Sequence, residues 1–99
     1  MAAVSPADRV PGMVSVIMPF LNPPESFFRD AIQSIEDQAY DNWELILVDD
    51  GSAAAISRVA TDTVEHKSEQ IRYLEHDGHQ NLGISASRNR GIDIARGEY

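Results

Sequence analysis

Two adjacent carboxylates, Asp49 and Asp50, followed by Gly51 and Ser52, are the residues of this chain best suited by type and spacing to do chemistry. Neighbouring acids can hold a divalent cation through hard oxygen ligands, or accept hydrogen bonds from a sugar or a base. If both stay extended they point in opposite directions, so at most one enters a given crevice. The other is left to cap the turn or the helix that follows. A plainer reading makes Asp50-Gly51-Ser52 an Asx-type chain reversal. A second set lies in residues 84–91, where Arg88 and Arg90 stand on different helix faces. One of them could meet a phosphate or a carboxylate, though on spacing alone a solvated arginine or an internal ion pair fits slightly better. Asn81 and Gly83 fall at a helix start, where free N–H groups can face an anion or simply form a loop and cap. His66, His76 and His79 suggest no metal site, and His76-Asp77-Gly78-His79 reads as a polar surface loop. Neither Gly-rich phosphate-loop pattern is present.

The acid pair needs an element to position it. Leu45-Ile46-Leu47-Val48 is apolar without alternation, which predicts a strand buried on both faces, as in a parallel sheet covered by helices. Ligands of such sheets bind beyond the carboxyl ends of the strands. Around this strand the pattern predicts an α/β series. Strand one covers Val14 to Met18, ended by Pro19, with a stiff loop from Phe20 to Pro24. Helix one runs from about Glu25 to Gln38, with Phe28, Ala31, Ile32 and Ile35 on its apolar face. Strand two spans Trp43 to Val48, and helix two spans Ala54 to His66 with Ile56, Val59, Ala60 and Val64 inward. Strand three is Ile71 to Leu74. Helix three runs from about Gly83 to Ala95, presenting Ile84, Ser87, Gly91 and Ala95, with Gly97 as its stop. No strand follows this last helix, whose face then points at a sheet member the chain does not supply. The reading is a chain that forms the front portion of a larger domain.

Size and charge narrow the classes further. Ninety-nine residues allow one small domain. A formal charge of −8, with only eight scattered Lys and Arg, argues against nucleic acid as a partner. Residues 1–12 lack a basic start and an apolar core, and read as a flexible leader. The absence of cysteine fits a reducing compartment.

Taken in order, five blocks of the chain resemble the family 2 glycosyltransferases of the GT-A fold. They are Val14 to Asn22, Ser34 to Tyr40, Trp43 to Ser52, Asn81 to Ile92 and Ala95 to Tyr99. The resemblance implies a three-layer α/β/α, mainly parallel, Rossmann-like nucleotide-diphospho-sugar transferase fold, incomplete at the C-terminus, over residues 13–99. It also implies the donor-binding half of an enzyme of polysaccharide biosynthesis, moving a sugar from a nucleotide-diphospho-sugar, a UDP-sugar first among them, to an acceptor hydroxyl. By that likeness Pro19, Phe20 and Asn22 frame the pocket, Asp50 or Asp49 hydrogen-bonds the base, and Gly83 and Arg88 lie beside it. Phe20 stands where the family often has a small hydroxyl residue. Ala53-Ala54-Ala55 replaces a polar continuation, which implies a less well capped turn.

The family's Asp-x-Asp motif, which holds Mg²⁺ or Mn²⁺ against the diphosphate, and its catalytic base both belong after the Gly-Glu-Tyr block. No catalytic residue or metal ligand is therefore assigned here, and the piece is expected to be inactive alone. The resemblance further implies a cytoplasmic domain, with the parent protein open to membrane association on the cytoplasmic face. Two other readings are a non-catalytic scaffold of the same fold and a receiver-like phosphoacceptor module. The latter fits poorly, because it wants an acid pair after strand one, where this chain has Met18-Pro19. An unpaired sheet edge and an uncovered helix face invite self-association, which leads one to expect either a weakly stable monomer or a homo-oligomer that covers the edge. Size-exclusion chromatography over a concentration series should then show the apparent mass rising with concentration; a constant monomer mass would count against it.

Overall fold

The computed structural model describes residues 9–66 and 69–99. Three parallel strands form one sheet in the order β1-β2-β3: β1 is Val14–Phe20, β2 is Trp43–Asp49 and β3 is Ile71–Glu75. The helices are α1 (Glu25–Glu36), α2 (Ala54–His66) and α3 (Ile84–Ile94), and a 3-10 turn occupies Asp77–His79. β2 is buried along its whole length. Its side chains alternate between two cores. Trp43, Leu45 and Leu47 pack with Phe28 and Ile32 of α1 and Val59 and Ala60 of α2. Ile46 and Val48 pack on the other face with Ile94 and Ala95, joined by Ile17 and Leu74. The result is a three-layer α/β/α arrangement, as the uniform apolar run requires.

Several expectations need correction. β1 does not end at Met18: Pro19 lies within it, in register with Val48. The Val14 N–H points to β2 and donates to Asn42, whereas the Ser15 N–H points away and donates to Tyr99. Pro19 is four residues beyond Ser15, so its missing N–H falls on the outward side and costs the ladder nothing. α1 stops at Glu36 rather than Gln38, with Asp37 as its C-cap and Pro24 as its N-cap. The face of α3 is not left uncovered; it lies against β1 and β2. That face consists of Ser87, Gly91 and Ile94, while Ile84 is 56% exposed. Helix α3 ends at Ile94 with Ala95 extended, so Gly97 is no helix stop. A Cβ there would lie 2.4 Å from Ser15 Oγ and 2.6 Å from the Met13 carbonyl. Close passage along β1 is what demands glycine at this position.

Residues 9–12, expected as part of a leader, run beside this closing segment. Val10 bridges Gly97, and the Arg9 guanidinium donates to the Gly97 carbonyl at 3.0 Å. Residues 1–8 of the same segment lie outside the described residues.

At the amino end of β2 a buried carboxylate, Glu44, ties the layers together. It accepts from Ser15 Oγ at 2.6 Å, from Arg72 Nη2 at 2.6 Å and from the Arg96 N–H. Arg72 also donates to the Ile94 carbonyl at 2.8 Å. Burial pushes the Glu44 carboxyl up, but the donors from Ser15, Arg96 and Arg72 together outweigh it and hold it below its ordinary value. A depressed carboxylate contributes stability above its unfolded value and loses that contribution as pH falls through the folded one. Glu44→Ala should therefore cost about 3–5 kcal/mol in urea unfolding at neutral pH, because Arg72 loses its charge partner. The gap from the unchanged protein should narrow as pH drops below 4.5.

Candidate functional site

At the carboxyl end of β2 the two aspartates separate to opposite sides of the sheet, as alternation demands. Both are buried, at 0% and 1% exposure for Asp49 and Asp50. Asp49 turns toward α2. Its Oδ1 accepts from the Ser52 N–H at 2.7 Å, and its Oδ2 accepts from Ser57 Oγ and from the Tyr73 hydroxyl, the latter at 2.7 Å. Burial pushes this carboxyl up, but Ser57, Ser52 and Tyr73 outweigh it and hold it below its ordinary value. Burial, together with the Asp49 carboxylate, pushes the Tyr73 phenol far up.

Asp50 turns toward α3. Its Oδ1 accepts from the Leu82 N–H at 2.8 Å and shares the Gly83 N–H with Oδ2, both at 3.1 Å. His76 Nε2 stands 3.5 Å from Asp50 Oδ1 and 2.9 Å from Ser87 Oγ. The Asp50 N–H donates to the Phe20 carbonyl at 2.9 Å, which draws the exit of β1 to the same place. Gly51 has φ 86°, and a Cβ on it would meet the Asn81 nitrogen at 3.0 Å. The exit loop of β2 and the loop before α3 are thus in direct backbone contact.

Asn22 completes the rim from the β1 side. Its Oδ1 accepts from the Ala53 N–H at 2.7 Å, and its own N–H donates to Ser52 Oγ at 2.9 Å. Asn22 from across the crevice and Asp49 from below thus fix the two residues that lead into α2, Ala53 and Ser52. Phe20 sends its ring into the core, 4.6 Å from that of Phe28, and contributes only its carbonyl to the rim. Pro19 is half-buried and Gly83 is the N-cap of α3. Arg88 is exposed and stands apart from the acid pair. Asp49, Asp50, Asn22, Phe20 and Gly83 are thus joined by hydrogen bonds, with Pro19 next to Phe20 in β1.

A cleft of about 620 Å³ opens on the other side of this end, along β3 between α2 and α3. Ser57, Tyr73, Glu75 and Arg90 are among its walls, and none of the seven residues picked from the sequence lines it. Arg90, not Arg88, is the arginine that turns inward, with its Nε buried and without a partner among the described residues.

Asp49, Glu75 and His79 bring one ligand-capable atom each within 4.8 Å of one another, a grouping of the kind that can hold a divalent ion. The hydrogen bonds give it a different character. His79 Nδ1 lies 2.8 Å from Glu75 Oε2, and its Nε2 lies 2.7 Å from the Ser52 carbonyl. Both partners accept, an arrangement that suits a ring donating from both nitrogens, as the imidazolium does. The Ser52 carbonyl first, and the Glu75 carboxylate after it, push its pKa up. An imidazolium has no lone pair for a metal, and Asp49 already takes three donors. The residues as arranged fit a closed ion-pair network rather than a bound cation.

Residues 15–99 match the family described as glycosyl transferase family 2. The chain belongs to that family. A putative glycosyltransferase of Bacillus subtilis, EpsE, is 38% identical over 86 residues, covering 87% of this chain and 30% of EpsE. An uncharacterized glycosyltransferase of Methanocaldococcus jannaschii is 32% identical over 87 residues, covering 88% of this chain and 29% of its own length. Glycosyltransferase GlyA of Streptococcus pneumoniae is 35% identical over 86 residues, covering 87% of this chain and 12% of GlyA. The chain therefore spans less than a third of the length of these family 2 relatives.

Three participants escape a reading by spacing: His76, His79 and Tyr73. His76 is buried against Ser87, and His79 reaches back to the β2 exit, although their loop reads as solvated surface. Tyr73 carried the one available signal, a polar-tipped aromatic in a strand whose hydroxyl needs a partner when buried. Asp50→Ala should cost about 1–3 kcal/mol, because the Leu82 and Gly83 N–H groups lose their acceptor. Faster amide exchange at those two residues, measured by NMR, would locate the loss; unchanged exchange would show that Asp50 does not anchor this loop.

Proposed function

We propose that this chain is the donor-binding, N-terminal part of a family 2 glycosyltransferase domain. In the whole protein it would help transfer a sugar from a nucleotide-diphospho-sugar, a UDP-sugar first, to an acceptor hydroxyl. The observation that carries the reading is the convergence of the β1 exit, the acid pair of β2 and the α3 start beyond the carboxyl ends of parallel strands. That is where open α/β sheets bind ligands. Family membership gives this crevice its chemistry. Of the two acids Asp50 is the better candidate to meet a base. Its Oδ2 receives only a Gly83 N–H that it shares with Oδ1 at 3.1 Å, whereas Asp49 takes a full donor on Oδ1 and two on Oδ2. Pro19 and Asn22 would frame the pocket from the β1 side, the Phe20 contribution being limited to its backbone. Gly83 and Arg88 would stand on the α3 side, with Arg88 available to a phosphate.

Mg²⁺ or Mn²⁺ and a catalytic base would be supplied by residues outside these 99. The ion would neutralise charge on the departing diphosphate, and the base would activate the acceptor hydroxyl. The segment by itself is then a binding element without turnover. Among the described residues no helix is long and apolar enough to cross a membrane. Cytoplasmic placement, with membrane attachment elsewhere in the parent, accords with donors made in the cytoplasm. Self-association would use the outer edge of β3, since α3 is covered.

The test uses the full-length parent and isothermal titration with UDP. Asp50→Asn preserves one acceptor for the loop and removes the charge offered to the base. It should weaken UDP about 10- to 100-fold, the worth of one hydrogen bond to a charged group. Equal affinity in the two proteins would remove Asp50 from the donor site.

A further inference from the structure

The loop between β3 and α3 is fastened to the β2 exit at two points. Asp50 holds Leu82 and Gly83 at its far end. His79 holds the near end, donating to the Ser52 carbonyl at 2.7 Å and to Glu75 Oε2 at 2.8 Å. Between these points Gly51 lies against the Asn81 backbone. His79 adopts φ 56°, a left-handed conformation that a non-glycine residue keeps only when its contacts repay it. Ser52, the residue it grips, also accepts the Asn22 N–H through Oγ and donates its own N–H to Asp49. One imidazole ring therefore immobilises the residue through which three parts of the rim are joined.

We propose that His79 is a positioning residue for donor binding: as a cation with two donors it locks the Asp50–Ser52 turn to the β3 exit and so presents the rim in its binding geometry. The proposal rests on the donor-site reading above. The geometry asks for a cation with two donors. A neutral ring would offer one donor and one acceptor to two acceptors, and one contact would become repulsive. Groups of every neighbouring element bear on its charge. Asp49 from β2 and Glu75 from β3 favour its charged form, while Tyr73 of β3, Asp77 and His76 of its own loop, and Asp50 before Gly51 are the other titratable groups nearby in the fold. Arg58 of α2 and Arg90 of α3 stand on the cleft that Glu75 also lines. The raised His79 pKa means that the lock is complete at acid pH and is lost as pH rises through the folded value.

The test compares the full-length parent with His79→Ala and His79→Lys, the lysine keeping a cationic donor that does not titrate near neutrality. UDP affinity by titration calorimetry and amide exchange at Gly51 to Ala53 are each followed from pH 5.5 to 9. For the unchanged protein, UDP binding should weaken several-fold and exchange should quicken as pH rises. His79→Ala should show the weak, fast-exchanging behaviour at every pH. His79→Lys should keep the tight, protected behaviour to higher pH, a rescue that loss of packing alone would not produce. Flat pH profiles in the unchanged protein, or protection in His79→Ala equal to it, would overturn the proposal. So would Mn²⁺ or Zn²⁺ binding that is abolished by His79→Ala. If the parent binds no UDP, the donor-site reading fails, while the exchange data still decide whether His79 locks the turn.

Discussion

The central strand is buried on both faces, yet it carries two carboxylates, Glu44 and Asp49, and a third, Asp50, follows directly at its end. An ion removed from water without partners costs several kcal/mol, so each of these groups must be surrounded by donors before the strand can take its place. The architecture follows from how those donors are recruited. Glu44 draws on Ser15, Arg72 and Arg96 and so joins all three strands to the closing segment. Asp49 draws on α2 and β3, and Asp50 on the approach to α3. A hydrophobic core alone would accept many relative placements of helix and loop. The demand of three buried anions for specific hydrogen bonds narrows them to one.

At the site end, this satisfaction has a cost in available chemistry. Asp49 spends both oxygens on the fold, and Asn22 spends its amide carbonyl on the α2 start. On the donor-site reading proposed above, the groups left for a ligand would be Asp50 Oδ2, the backbone around Gly83, and Arg88. A pocket built this way would be preorganised, its polar groups already oriented by the bonds that hold the fold.

Much of this was legible in the sequence because it rests on local pattern. The unbroken apolar run at residues 45–48 announced a doubly covered strand, and helix α2 begins and ends where its periodicity does. The order of motifs announced the family. The bounds of β1 and α3 were harder. Pro19 reads as a terminator until the direction of its missing N–H is known, and Gly97 reads as a helix stop until its distance to Ser15 is known. The polar network was the least legible part. Tyr73, His76 and His79 meet their partners through pairing across the sheet and loop contact, which leave no periodic trace. Arg88 and Arg90 could be told apart as facing different ways, but which one turns inward depends on how α3 rolls against β1.

The strap formed by residues 9–15 and 96–99 also constrains the order of assembly. Arg9 and Gly97 are hydrogen-bonded although 88 positions separate them, and Ser15 and Gly97 although 82 do. Closing so long a loop is entropically expensive until the intervening elements have condensed. The Arg96 N–H meets Glu44 in this same closing segment, so the satisfaction of that buried carboxylate and the joining of the two chain ends depend on one another.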